Sequence, residues 1–398
     1  MNEFIHKLNI IKSFAPKMEF KSSSMVVENQ IDIFTNQMLN NNNNVIWTNM
    51  VMPTEMFYAF GLIPVHMELI AGWFATLGLS EKYIQYAHKC GYAVNLCSYH
   101  KAVIGALELG IISPPRIAVI SSHICDGGSL MARYFQNRFG TEIKVVDVPF
   151  YKTDENVGYV YKQLLEVREF LEKYMGKRPD EGKLKNAAEL SDTARNYILK
   201  VNEHRKQNTL FRGNLAIRNM FGASFLLGSE KGVDVFKTYE EELSCMSPIN
   251  NTYRILWIHF APLFAASIMK YFEEDLKLYI AFDITSHVYW NAYGERDILT
   301  AMADKLLSHF YLGSVRGRIN MYVNIIREFK IDGIVMYMHN GCRAIPCSSW
   351  ELRNISKQED IPFLELSGDC IDPNGFSYAQ TYLRMEAFRE SLGSKLEK

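Results

Sequence analysis

The second half of the chain repeats one pattern. Short runs with few polar residues, YRILWIHF (253–260), KLYIAFDI (277–284), IDGIVMYMH (331–339) and IPFLELSGD (361–369), are separated by longer stretches that read as helices. Near-continuous apolar runs, as opposed to alternating ones, mark parallel strands covered on both faces by helices. The pattern predicts one doubly wound α/β unit over 253–398.

A less regular version precedes it. VIWTNMVM (45–52), LIPVHME (62–68), RIAVISS (116–122) and EIKVVDVP (142–149) read as strands. VYKQLLEVREFLEKY (160–174) has helical periodicity and many charges, so 155–207 reads as exposed helices, and a second helical block follows to about residue 247. The first 45 or so residues look helical and end in the run Asn40 to Asn44, which reads as a loop. At 398 residues, one core is too few. The fold expected is α/β: two Rossmann-like domains with parallel sheets, additional helices and a site in the cleft between them. The divisions are a helical segment with its Asn-rich loop (1–44), a first α/β domain with a helical extension (45–207) and a second with leading helices (208–398).

Composition narrows the partners. A net charge of −1 with 22% charged residues gives no basic surface for nucleic acid or an anionic membrane. The longest apolar runs, such as LIAGWFATLGL and FAPLFAASIM, fall short of the ~20 residues that span a bilayer. No signal-peptide pattern is visible at the N-terminus, so a cytoplasmic protein is expected.

The chemistry-bearing feature is the placing of the cysteines. There are seven: Cys90, Cys97, Cys125, Cys245, Cys342, Cys347 and Cys370. An odd count in a long chain without a secretory signal argues against a disulfide framework. Cys125, Cys342 and Cys370 follow predicted strands, and Cys97 opens an apolar helix. Open α/β sheets bind ligands outside the carboxyl ends of their strands. A helix N-terminus also favours a thiolate. Spacing alone leaves several readings open. Buried structural thiols are common. Cys97-Ser-Tyr-His100 and the Cys342–Cys347 pair offer a weak zinc pattern. Isolated cysteines drawn from two domains suit an iron–sulfur cluster better.

Five blocks make the chain recognisable: PTEMFYAFGLIPV (53–65), CSYHKAVIGALELG (97–110), SSHICDG (121–127), IDGIVMYMHNGCR (331–343) and IPFLELSGDCIDPNGFSYAQTYLRMEAFRESL (361–392). In that order they resemble the 2-hydroxyacyl-CoA dehydratase family, which includes the related benzoyl-CoA reductase subunits. The resemblance spans about residues 45–395 and is weakest in the middle helices. It implies a [4Fe–4S] cluster between the two domains, held by Cys97, Cys125 and Cys342. It also implies a related second subunit and a separate ATP-dependent iron–sulfur activator protein that injects one electron. The substrate implied is an acyl-CoA thioester. Its β proton is not acidic until the carbonyl is reduced to a ketyl radical anion and the α-hydroxyl leaves, with an open iron as Lewis acid. The alternatives are a benzoyl-CoA reductase-like subunit and an electron-relay partner without turnover of its own.

Further residues carry competing expectations. Glu55 is a candidate proton-transfer group, set against a carboxylate that satisfies a helix start. His100 and His339 border the ligand cysteines and are candidates to bond a cluster sulfur or the substrate. Ser121 and Ser122 read as helix caps beside His123. Arg316 and Arg318 could hold coenzyme A phosphates, although a solvated helix start is the preferred reading. Asp369 and Asp372 read as turn-fixing residues. Some relatives hold an eight-iron double cubane with six cysteines; no extra cysteine lies between Cys97 and Cys125, and only Cys347, near Cys342, points that way. Cys90 and Cys370 are expected to be non-ligands, and Cys245 has no assigned task.

Overall fold

Each of the eight apolar runs contains a strand. In the computed structural model, which describes residues 3–38, 44–207, 213–249 and 252–396, these are β1 (Val45–Thr48), β2 (Ile63–His66), β3 (Ile117–Ser121), β4 (Glu142–Val146), β5 (Tyr253–Ile258), β6 (Leu278–Asp283), β7 (Gly333–His339) and β8 (Phe363–Gly368). They form two four-stranded sheets, ordered β2-β1-β3-β4 and β6-β5-β7-β8. Every pairing is parallel. The two orders are the same, and in each the direction of winding reverses beside the first strand. Such switch points open a crevice at the carboxyl edge. One lies between β1 and β3, the other between β5 and β7.

The apolar runs are continuous because both faces of each sheet are covered. Ile117, Ala118, Val119 and Ile120 of β3 are all fully buried, as are Ile334, Val335 and Met336 of β7. One core joins inward residues of both sheets, including Trp47, Ile120, Trp257 and Tyr337. A second core lies on the other face of the first sheet, with Ile46, Ile117 and Val119. Helix Ile298–Leu307 follows β6 in sequence, yet its Leu299, Met302 and Leu306 pack into that second core. The second half of the chain thus contributes directly to the first sheet's packing.

The charged middle segment folds as helices Asp154–Met175 and Glu181–Lys206. Thr153 caps the first by accepting from Asn156 N–H, and Asp180 caps the second by accepting from Gly182 N–H. Helices Gly213–Ala223 and Glu230–Ser244 follow. The N-terminal helices Glu3–Phe14 and Lys21–Asp32 pack onto the first core, with the Phe4 ring edge-on to Phe74 at 4.9 Å. The expected loop at Asn40–Asn43 lies outside the described residues. No helix among the described residues is long and apolar enough to cross a membrane.

Candidate functional site

A cavity of about 460 Å³ opens at the carboxyl ends of both sheets. Its wall includes Asn49 after β1, His123 and Cys125 after β3, His259 after β5, and Cys342 after β7. Both switch points therefore face one space.

Cys97, Cys125 and Cys342 all line this cavity. Cys97 is the N-cap of helix Ser98–Glu108, Cys125 precedes helix Gly127–Phe139, and Cys342 follows β7 through a tight turn. Gly341 makes that turn possible with φ +84°, and a Cβ there would stand 3.2 Å from Cys97 Cα. The β7 turn is thus pressed against the backbone that carries Cys97. Gly127 allows an equally close approach: a Cβ at that position would collide with the His100 ring.

The thiols are half-buried in the cavity wall. Burial pushes the Cys97 thiol well up, the Tyr99 N–H beside its sulfur works the other way, and Cys125, Asp369 and Cys342 add to the rise. Burial also pushes Cys125 and Cys342 up, against backbone N–H groups of Gly127 and Gly128 for the first and of Ile345 and Ala344 for the second. Three enclosed sulfurs that feel one another, each approached by N–H donors, ionise together only around a cationic group. Among the described residues, no set of three His, Cys, Asp or Glu side chains is gathered for a single metal ion. Thiolates are the donor type that holds iron–sulfur clusters, where each would bind its own iron, and Cys97, Cys125 and Cys342 are the residues here that could do so. The other cysteines do not line the cavity: Cys90, Cys245 and Cys347 are exposed, and Cys347 donates to Ala344 O at 3.0 Å. Cys370 is fully buried, with its sulfur 3.6 Å from His259 Nδ1.

The structure brings His100 and His339 to the same wall. His100 is buried with Nδ1 unpartnered, and burial, with His339 nearby, pulls it down to about 4. His339 Nε2 lies 3.4 Å from Cys97 Sγ. In all, six of the ten histidines line the cavity, the others being His123, His259, His287 and His309, and burial lowers every one. They present neutral imidazoles, polar but uncharged.

Glu55 is fully buried behind the cavity wall. Its Oε1 accepts from Lys305 Nζ at 2.9 Å and from Ser191 Oγ at 2.6 Å, and Lys305 itself lines the cavity. Glu68, which sequence reasoning missed, faces the cavity directly. Its Oε2 is shielded from solvent and has no hydrogen-bond partner, and burial pushes the carboxyl up to about 7. The available signal was one acid inside the apolar run IPVHMELIAGWF.

Several secondary readings change. Ser121 is no helix cap; it exchanges hydrogen bonds with Asn49, which ties the end of β1 to the β3 turn. Ser122 instead donates to Asp147 Oδ1 at 3.0 Å. Arg318 is neither solvated nor free for phosphate. It is buried, donates to the carbonyls of Phe310, Tyr311 and Ala344, and lies over the Tyr311 ring at 4.7 Å. Its fork is used up in pinning the Cys342 loop to the 310–311 segment. Asp369 does fix a turn, accepting from Ile371 N–H and Asp372 N–H, and it also accepts from Ser98 Oγ at 2.6 Å.

The sequence model for the family described as "2-hydroxyglutaryl-CoA dehydratase, D-component" matches residues 49–392. The chain belongs to that family. The matched stretch holds β2 to β8 and all three cavity cysteines, and begins one residue after β1. Among curated proteins, the dehydratase-family chain is 23% identical to the (R)-phenyllactyl-CoA dehydratase alpha subunit of Clostridium sporogenes, over 88% of this chain and 90% of that one. It is 22% identical to the (R)-2-hydroxyisocaproyl-CoA dehydratase alpha subunit of Clostridioides difficile, over 87% and 89%. It is also 22% identical to a benzoyl-CoA reductase subunit of Thauera aromatica, over 78% and 79%.

Proposed function

We propose that this chain is the [4Fe–4S] subunit of a two-subunit 2-hydroxyacyl-CoA dehydratase, a lyase activated by one electron from an ATP-hydrolysing iron–sulfur protein. The observation that carries the reading is the convergence of Cys97, Cys125 and Cys342 on one cavity at the carboxyl ends of two parallel sheets. Held by those three thiolates, the cluster would supply an electron for the thioester carbonyl, giving a ketyl, and a Lewis-acidic iron for the departing hydroxide.

The chain's own residues supply the rest. Glu68 is the proton-transfer group: a carboxyl raised to about 7 by burial both gives and takes a proton near neutral pH. The neutral histidines hold polar groups without adding charge to a site that must accept an anionic radical. Tyr289, Trp290 and Phe310 form an aromatic wall for the acyl chain. Of the two cations in the wall, Lys305 is buried and engaged by Glu55 at 2.9 Å, and Arg343 sits at the solvent-exposed rim beside Asp126 at 3.0 Å, so among the described residues the interior of the cavity offers no free positive charge. An apolar or aromatic acyl group is therefore favoured over a dicarboxylic one.

The test is anaerobic purification with the partner subunit and activator, followed by iron and sulfide analysis and turnover of a thioester panel. Expected are bound iron and sulfide, and ATP-dependent dehydration of a 3-aryl-2-hydroxypropanoyl-CoA in preference to 2-hydroxyglutaryl-CoA. Iron-free protein overturns the cluster. Reduction of benzoyl-CoA without dehydration supports the ring-reductase alternative, and iron without turnover supports the electron-relay one.

A further inference from the structure

We infer that His339 is a neutral Nε2–H donor to the sulfur of Cys97, a positioning residue that sets the electron affinity of the cluster and is neither a cluster ligand nor a proton-transfer base. The inference rests on the cluster reading above and adds the role of one side chain to it.

The tautomer follows from the backbone. The amide N–H of Cys370 donates to His339 Nδ1 at 3.1 Å. An amide nitrogen has only a proton to offer, so Nδ1 must present its lone pair. A proton on Nδ1 would point at the Cys370 N–H and destroy that bond. A neutral imidazole carries one N–H, and with Nδ1 bare it is on Nε2. Nε2 is the atom 3.4 Å from Cys97 Sγ, within reach of an N–H···S hydrogen bond.

The alternative tautomer has a natural partner close by, which makes its exclusion informative. Asp369 Oδ1 lies 3.6 Å from His339 Nδ1, too far for a hydrogen bond. That oxygen is already occupied by Ser98 Oγ, Ile371 N–H and Asp372 N–H. A carboxylate bonded to Nδ1–H would free the Nε2 lone pair to bind metal, the arrangement usual in histidine metal sites. Here the polarity is reversed, and Nε2 faces the sulfur with a proton. The ring has no freedom to flip out of this arrangement. His339 is buried, its ring stacks on His259 at 5.6 Å, and Tyr99 packs edge-on at 5.4 Å.

The consequence is electronic. A hydrogen bond to a cysteine sulfur withdraws density from it and favours the reduced cluster over the oxidised one, and such bonds are one of the levers that set cluster potentials. The bond crosses from β7 to the start of helix Ser98–Glu108, so the same contact holds the two cysteine-bearing loops in register.

Two measurements test this. In the cluster-free chain, selective ¹⁵N-histidine NMR, assigned through His339→Gln, is expected to show a bare Nδ1 and a protonated Nε2. The opposite tautomer, or an imidazolium, overturns the inference whatever becomes of the cluster. In the loaded enzyme, redox titration followed by EPR is expected to show His339→Leu lowering the equilibrium constant for one-electron reduction about tenfold, equivalent to ~59 mV. His339→Gln, which keeps an N–H near the Nε2 position, should recover part of the shift. An unchanged potential in a fully loaded His339→Leu protein overturns the inference. Should His339→Leu fail to load, ¹⁵N-histidine coupling in the EPR of the reduced wild type decides, its presence supporting the bond and its absence refuting it. A wild type that binds no iron, with the expected tautomer intact, is a failure of the cluster reading and removes the electronic role with it.

Discussion

Lys305 Nζ lies 2.9 Å from Glu55 Oε1, an ion pair with both side chains almost wholly removed from solvent and 250 residues between them. Burial opposes ionisation of Glu55, yet the Lys305 charge and the bonds from Lys305 and Ser191 together hold its carboxyl below the ordinary value of 4.5. Removing one partner strands the other charge. Lys305→Met is therefore expected to cost ~3–5 kcal/mol, and pairing it with Glu55→Gln to recover part of that loss. Because the folded carboxyl is the stronger acid, its contribution is complete above pH 4.5 and is lost as pH falls through the folded value. Denaturant titrations over that range should show the gap between wild type and Glu55→Gln shrinking as pH falls.

Gly341 serves two purposes, and a control separates them. Gly341→Ala puts a Cβ at φ +84° and 3.2 Å from Cys97 Cα, whereas Gly375→Ala puts one at φ +78° with nothing within 4 Å. Both changes should cost ~1–3 kcal/mol through backbone strain. Only Gly341→Ala should lower iron content, because only it pushes two ligand-bearing loops apart.

The cysteine assignment predicts a divided series. Cys97→Ser, Cys125→Ser and Cys342→Ser should each bring bound iron well below the wild-type level in anaerobic metal analysis. Serine at Cys90, Cys245, Cys347 or Cys370 should leave it unchanged, since three of those thiols are exposed and the fourth is buried behind His259 and His339 and does not line the cavity.

Glu68→Gln keeps the shape of the wall and removes the titrating group. Iron content and KM should hold, while kcat falls ~10²–10⁴-fold, the usual contribution of a positioned acid or base. The wild-type pH–rate profile should carry a limb near about 7, the value to which burial raises this carboxyl, and the variant should lack it.

The sequence was read well where the information is local. Runs such as RIAVISS and IDGIVMYMH became β3 and β7 because a strand buried on both faces must be apolar throughout. Thiols after those strands were flagged because α/β crevices open at carboxyl ends. Long-range partnerships were not legible. Arg318 in GSVRGR looked like a solvated helix start, and nothing near it in sequence reveals that carbonyls from 310, 311 and 344 would consume its donors. Glu55 looked like a helix-start acid because Ser191 and Lys305 lie far along the chain. Glu68 escaped notice because an acid in the first turn of a helix needs no special explanation.

By itself, the order of apolar runs and turns determined two parallel sheets and put cysteines at their carboxyl edges, since both follow from what each segment must bury or expose. Tertiary packing alone decided that the two edges share one cavity, which carboxylates are paired and which is left to titrate, and which nitrogen of His339 bears the proton. Those outcomes depend on distances between atoms far apart in the chain, from 31 residues for Cys370 and His339 to 250 for Glu55 and Lys305, and no local pattern of side chains encodes them.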